Sequence, residues 1–352
     1  MAGKLKVAIV GCGSIANWCH FPAYKTLADM VEVVAVCDIN EERAKKAAEE
    51  FSLTKYYLTV EELLANEKPD YIDCCTWPSA HAPVCIAAAN AGVNVLCEKP
   101  LAATVEQGLA IEKAVKENGV NFMLAVVTRY GAEQKKYMEL FNEGVFGEVY
   151  AARTKYVRRR GIPGGWFTNK EIAGGGPVLD IGVHAIDRTW YLMGKPKPVS
   201  VSAETSYRIG NYNTAEGTFS WDAQSGENKD EHIFNVEDSA VAFFRFEGGK
   251  TMTADVSWTI NGVESATTQI YGTKAGCTFE PLTIYGEDEN YHLSDTKVEA
   301  EGEEFFTAEI RHFIECVRDG KAPISGIDDA VTVQKMLDGI YRSAQAHKEV
   351  AL

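Results

Sequence analysis

VAIVGCGSIANWCHFPAY, from Val7 to Tyr24, joins an apolar run of strand type to a helical pattern through two glycines. A strand, a glycine turn and a helix in that order have two readings. One is a tight connection and nothing more. The other is a dinucleotide cradle, in which Gly11 allows the turn, Gly13 lets the backbone approach a pyrophosphate, and the helix N-terminus faces that charge. Ala16 stands in the third slot as an accepted small residue.

The next hundred residues favour the cradle. Leu5 to Val10 and Val31 to Cys37 read as buried strands, followed by Asp70 to Cys75, Val93 to Cys97 and Asn121 to Val126. Between them lie helical segments, among them EERAKKAAEEF, VEELLANE, HAPVCIAAANAG and Thr104 to Glu117. Apolar strands spaced by amphipathic helices predict a parallel sheet covered on both faces. The expected fold is α/β: an N-terminal Rossmann doubly wound parallel sheet over residues 1–127. After Arg129 a helix gives way to strand-like runs joined by turns at Glu247-Gly248-Gly249 and Gly272 to Gly276, with a closing helix from about Asp328 to Ala346. That pattern predicts, over 128–352, a C-terminal α+β domain with a large open, mainly antiparallel sheet.

Bulk properties narrow the function. A length of 352 residues exceeds what one core organises, so two domains are expected. The net charge of -15 argues against nucleic-acid binding, which needs a basic face. The nine cysteines show no C-x-x-C spacing, which favours buried reduced thiols and no metal site. The start, MAGKLKVAIVG, lacks the apolar segment and cleavage site of a signal peptide, and no run is long enough to span a membrane. The expectation is a cytoplasmic protein without membrane partners.

Asp38 ends the second strand at about the distance from the glycines where a carboxylate takes the adenosine ribose hydroxyls. It would repel a 2′-phosphate: two like charges at ~4 Å cost on the order of 4 kcal/mol at an effective dielectric of ~20. The expected cofactor is therefore NAD, with Ser14 and Ile15 at the helix start in the binding set. Arg43 either lies over the adenine or is a solvated helix residue.

Three further stretches carry a resemblance: TWPSAH (Thr76 to His81), CEKPLAAT (Cys97 to Thr104) and GGGPVLDIGVHAID (Gly174 to Asp187). With the glycine turn they make the chain similar to the glucose–fructose oxidoreductase / inositol dehydrogenase (Gfo/Idh/MocA) family along nearly its whole length. The resemblance implies a catalytic set of Lys99, Asp180 and His184, with His184 the proton acceptor, and a bend at Pro100 for which a cis bond is one form. It places Thr76, Trp77, His81, Glu98 and Lys99 beside the cofactor. Trp77-Pro78 replaces the family's usual Pro-Asn or Pro-Pro, which leaves the Trp77 ring either over the cofactor or packed inside. The substrates it implies are sugars, glycosides and cyclic polyols.

Read as chemistry, oxidising a secondary alcohol needs a base with a pKa near 7, which histidine offers without large tuning. On a regular helix Asp180 and His184, four apart, share a face, and the carboxylate would favour the charged imidazole. Asp187 and Arg188 continue that stripe. Lys99 adds positive charge where alkoxide character develops. Taken singly, Glu98 and Lys99 also read as a surface ion pair, Asp180 as a helix cap and His184 as a core histidine. Gly174-Gly175-Gly176 either approaches the substrate or forms a turn. Trp166 and Phe167 offer flat faces to a sugar ring. Tyr156, one of Arg158 to Arg160, and Arg129 are candidates for substrate contact. The open sheet suggests a homodimer or homotetramer. Two other functions fit the same residues: an NAD-dependent glycosidase or lyase working through transient oxidation and elimination, and a non-catalytic dinucleotide sensor.

Overall fold

Five parallel strands build the first sheet of this computed structural model: β1 (Leu5–Val10), β2 (Val31–Cys37), β3 (Tyr71–Cys74), β4 (Asn94–Glu98) and β5 (Phe122–Ala125), in the order β2-β1-β3-β4-β5. The structure describes residues 3–209 and 233–352, so Met1 and Ala2 of the amino-terminal stretch lie outside the described residues. Strands buried on both faces need mainly apolar runs, which β1 carries from Val7 to Val10; β3 is fully buried and its one charged residue, Asp73, is paired with His20 and Tyr24. Polar residues start the helices between them: the side chains of Asn40, Thr59 and Thr104 each accept a hydrogen bond from a backbone N–H of the first turn. From β1 the chain runs first to β2 on one side and later to β3 on the other. The crevice at the C-terminal ends of β1 and β3 is the switch point where such sheets bind ligands.

The second sheet has nine strands. They are β6 (Val149–Val157), β7 (Pro198–Ser206), β8 (Ser239–Phe246), β9 (Thr251–Ser257), β10 (Ser265–Gly272), β11 (Gly276–Thr278), β12 (Thr283–Glu287), β13 (Leu293–Lys297) and β14 (Val350–Ala351). Their order is β13-β12-β11-β10-β6-β9-β8-β7-β14. Only the β6–β9 pair is parallel, so the sheet is mainly antiparallel, as the turn-linked runs predict. In β8, Ala240, Ala242, Phe244 and Phe246 are buried while Val241 on the other face is 55% exposed.

The chain then returns to the first domain, which the sequence reading did not foresee. The helix Phe305–Asp319 buries Ala308, Ile310, Phe313 and Ile314 in the core formed by Val7, Ile9, Phe21 and Tyr71. The helix Ile327–Ala346 places Ala330 and Val331 in the core on the sheet's other face and spends the rest of its apolar side on the second domain. Between these helices, Ser325 accepts the Leu124 N–H at its main-chain oxygen and donates its hydroxyl to the Leu124 carbonyl, covering the β5 edge. Two helices gripping opposite faces of one sheet fix the orientation of the two domains.

Candidate active site

The glycine turn is built as a close crossing. Gly11 has φ +94°, and a Cβ there would lie 2.6 Å from the Cys75 main chain. Above Gly13 the space is open, as backbone approach of a phosphate requires. A helical stretch from Ser14 to Thr26 follows, with a π-helical turn at Ala16–His20 running directly into the helix Phe21–Thr26. Ser14 and Ile15 stand at that start. Asp38 ties the turn down: Oδ2 accepts the Cys12 N–H at 2.8 Å and Oδ1 the Asn40 N–H at 2.8 Å. Arg43, half-buried in the next helix, lies near enough to Cys12 for its charge to oppose, as a minor effect, the burial that pushes that thiol up. These residues fit NAD: an open glycine cradle, an acidic group at the end of β2 and a cation beside it. The expected outcome for Asp38→Ala is weaker NAD binding and relaxed discrimination against NADP, measured as dissociation constants for both nucleotides. Unchanged preference would contradict the like-charge argument.

Lys99 follows β4, and the Lys99–Pro100 peptide is cis. Two residues expected beside the cofactor, His81 and Glu98, are buried and shape this bend. The His81 ring is fully buried, its Nδ1 2.8 Å from the Pro100 carbonyl oxygen and its Nε2 3.0 Å from that of Thr76. With both nitrogens engaged, it joins the loops after β3 and β4. Glu98, 6% exposed, accepts the Lys99 N–H at Oε2 and faces His20 Nε2 at 3.1 Å through Oε1. His20 in turn meets Asp73 at 2.7 Å. Burial opposes charge on His20, but Asp73 and Cys75 together outweigh it and hold the ring's pKa well above the usual value. Trp77 is half-buried and caps the start of the helix Pro78–Asn90, which begins earlier than the sequence suggests. Two buried groups, Cys74/His81/Cys97 and His20/Asp73/Cys75, gather donor atoms within 4.8 Å. In both, the histidine nitrogens already serve protein partners.

Lys99 and Asp180 converge from different domains. Lys99 Nζ donates to the Asp180 main-chain oxygen at 3.1 Å and lies 3.3 Å from its Oδ1. Asp180 Oδ2 accepts the indole N–H of buried Trp258 at 2.9 Å. The expected Asp180–His184 pairing does not form, for two reasons. Val178–Gly182 is a π-helical turn, which changes which residues stack, and both carboxylate oxygens are claimed elsewhere. His184 lies at the start of the helix Val183–Leu192, with Nδ1 buried and unpartnered. Burial, followed by the charges of Lys99, Arg188 and Arg158, holds its pKa well below the usual 6.5. A carboxylate was expected to favour the imidazolium; the surroundings instead favour the neutral ring, the form that can accept a proton.

Gly174 to Gly176 serve packing. A Cβ at 174 would lie 2.5 Å from the Ala103 carbonyl oxygen, and the next two glycines press against Tyr341 and Glu237. The Glu237 carboxylate accepts the Gly176 and Val178 N–H groups and the Tyr341 hydroxyl, fixing the entry to the π-turn. A cleft between the domains is lined by Lys99, Pro100, Asp180, Trp166, Phe167 and Gly175, among others. Trp166 and Phe167 stack on each other at 3.8 Å between centroids. Arg158 lies over the Tyr156 ring and donates to its hydroxyl at 3.3 Å. Of the arginine run, Arg159 is exposed and Arg160 donates to Thr259, Ile260 and Asn261.

Arg129 is not at the cleft, which corrects its assignment to substrate. It is 1% exposed, held by Asp187 through Nη2 at 2.6 Å and by Asp329 at 2.7 Å. Asp187 is thereby removed from the catalytic stripe, and Arg188 turns to Glu280 and Thr268. Trp258 and Glu237, which hold the turn that carries Asp180, were missed by the sequence reading. Each is an isolated residue whose partners are far away in the chain, so no local motif marks it.

Residues 5–126 match the oxidoreductase family with an NAD-binding Rossmann fold, and residues 138–352 match the C-terminal alpha/beta domain of the same family. The chain is 30% identical over 354 residues to D-glucoside 3-dehydrogenase of Escherichia coli, covering 100% of this chain and 98% of that protein. It is 24% identical over 348 residues to scyllo-inositol 2-dehydrogenase (NAD(+)) of Bacillus subtilis, covering 95% and 92%. Among solved structures, aldose-aldose oxidoreductase from Caulobacter crescentus, complexed with glycerol, superposes with a TM-score of 0.81 at 25% identity, covering 99% of this chain and 100% of that one. Levoglucosan dehydrogenase in complex with NADH and levoglucosan shares the fold at a TM-score of 0.84 and 23% identity, with 99% of each chain covered. From Leu5 through the second sheet, the chain belongs to the Gfo/Idh/MocA family of NAD-binding oxidoreductases.

Proposed function

We propose that the protein transfers a hydride between NAD and a ring hydroxyl or ketone of a sugar, glycoside or cyclic polyol, with Lys99, Asp180 and His184 around the reacting carbon. The observation that carries this reading is the Lys99–Asp180 contact across the interdomain cleft, near enough to His184 for the Lys99 charge to help hold that ring's pKa down. Relatives named for a glucoside and an inositol agree with such substrates.

NAD, when bound, supplies the hydride acceptor. The chain supplies the rest. Gly13 and the helix start hold the phosphates, and Asp38 takes the ribose hydroxyls. Lys99 donates to the reacting oxygen as it gains alkoxide character, while Asp180 keeps the ammonium in place. His184 Nε2 accepts the hydroxyl proton, and Nδ1 carries the resting ring proton. The nearby cations then favour release of the added proton. Trp166 and Phe167 line the sugar side, with Tyr156 and Arg158 available to hydroxyls. Loss of NADH formation with every member of a panel of glucosides, aldoses and inositols would refute this reading; a rise in reduced-nicotinamide absorbance with at least one is expected.

The depressed pKa of His184 sets the pH dependence. A base must be unprotonated, so kcat/KM for oxidation should hold its plateau below pH 6.5 and fall only at more acidic pH. Stability has the same sign. Below 6.5 the unfolded chain takes a proton that the folded ring refuses, so this residue's contribution falls as pH drops and levels off below the folded pKa. An acid limb centred near or above 6.5 would contradict the assignment.

The second sheet exposes Tyr150 and Val241, and we assign its open face to a homodimer or homotetramer contact. No described helix is long and apolar enough to cross a membrane. Nine free cysteines, eight of them buried, fit a reducing compartment, and we place the protein in the cytoplasm.

A further inference from the structure

We propose that Trp258 is a positioning residue for the reaction, fixing the Asp180 carboxylate through its indole N–H and thereby the location of the Lys99 ammonium. Trp258 lies just past β9 and is fully buried. Its main-chain N–H donates to the Asp238 carbonyl and its carbonyl accepts the Gly161 N–H, so the residue is tied to two segments before its side chain is considered. It shares a small apolar cluster with Ile181, on the turn that carries Asp180, and Phe167 and Tyr156 of the sugar side pack against that cluster. One side chain therefore bonds to the catalytic turn from within the cluster on which the sugar-side aromatics pack.

The division of the carboxylate gives the contact its consequence. Oδ1 faces Lys99 Nζ and Oδ2 faces the indole N–H. The Asp180 side chain is 12% exposed, so an Oδ2 deprived of the indole would have little water to replace it. The carboxylate would turn to recover a donor, and the ammonium bound to Oδ1 would move with it. Lys99 also donates to the main-chain oxygen of Asp180, so the loss is one of aim, with the pair still in contact.

The proposal rests on the oxidation reading above, and its test separates the two. Trp258→Phe keeps an aromatic ring and removes the donor. The expected result is a kcat lower by roughly 10–100-fold, the scale of one hydrogen bond to a charged group, with the NAD dissociation constant unchanged. In an Asp180→Asn background, Trp258→Phe should lower kcat little further, because its effect passes through the carboxylate. Full activity of Trp258→Phe, or effects that simply add in the double variant, would overturn the proposal. A second readout needs no activity. In protein labelled with 15N-tryptophan, the indole N–H signal that vanishes in Trp258→Phe should be shifted in Asp180→Asn. If Trp258→Phe does not fold, the displaced indole signal in Asp180→Asn carries the test, and an unmoved set of indole signals refutes the contact. Should the wild type reduce no NAD with any sugar, the oxidation reading fails while the indole spectrum still decides the pairing.

Discussion

His184→Ala is expected to lower kcat for sugar oxidation by roughly 10²–10⁴-fold, the usual contribution of a positioned general base, while NAD affinity stays at the wild-type level. The residue sits in the second domain, away from the glycine turn and Asp38, so nucleotide binding does not depend on it. Its Nδ1 has no protein partner, so removing the ring breaks no hydrogen bond at that nitrogen. The loss should therefore fall on turnover. It should also remove the acid limb of the pH profile that belongs to this group. Steady-state kinetics beside a direct nucleotide titration checks both halves. A variant with normal kcat would take His184 out of the mechanism.

Arg129→Met should instead unfold the protein more easily. The guanidinium is buried against Asp187, and burial already pushes the Asp187 pKa above the usual carboxylate range although Arg129 opposes it. Removing one partner of a buried pair typically costs about 3–5 kcal/mol, because the other charge is left without compensation. Asp329 is less affected, since Lys195 also lies 3.1 Å from it. Urea unfolding should show that loss, and the KM for sugar of the folded fraction should not change. The pair Arg129→Met/Asp187→Leu should recover part of the stability, as apolar replacement of a whole buried pair often does. A stable single variant with a raised KM would return Arg129 to the substrate site.

The chain is legible where a residue's neighbours in sequence are also its neighbours in space. Leu5–Val10 and Val31–Cys37 were legible to the residue, because apart from Lys6 and Glu32 near their starts they are apolar, as strands covered on both faces must be. The glycine turn and the lysine after β4 were legible for a related reason: their neighbours in the chain are their neighbours in space. Arg129 was misread because its partners lie 58 and 200 residues away. At a domain boundary an arginine reads as available, and only tertiary structure shows it enclosed. The helix Phe305–Asp319 escaped notice because its apolar residues are interleaved with charges and bury against the other domain's sheet. The spacing of Asp180 and His184 suggested a pair under regular helical geometry. The π-turn and the claims of Lys99 and Trp258 set that spacing aside.

The most direct measurement uses a sugar or inositol found active in the panel, deuterated at the carbon that is oxidised, and follows the nucleotide by NMR. Deuterium at C4 of released reduced nicotinamide, formed in proportion to ketone product and suppressed in His184→Ala, is the predicted result. Cleavage of the substrate with no reduced nucleotide released, or a reduced nucleotide free of deuterium, would contradict direct oxidation of the ring carbon.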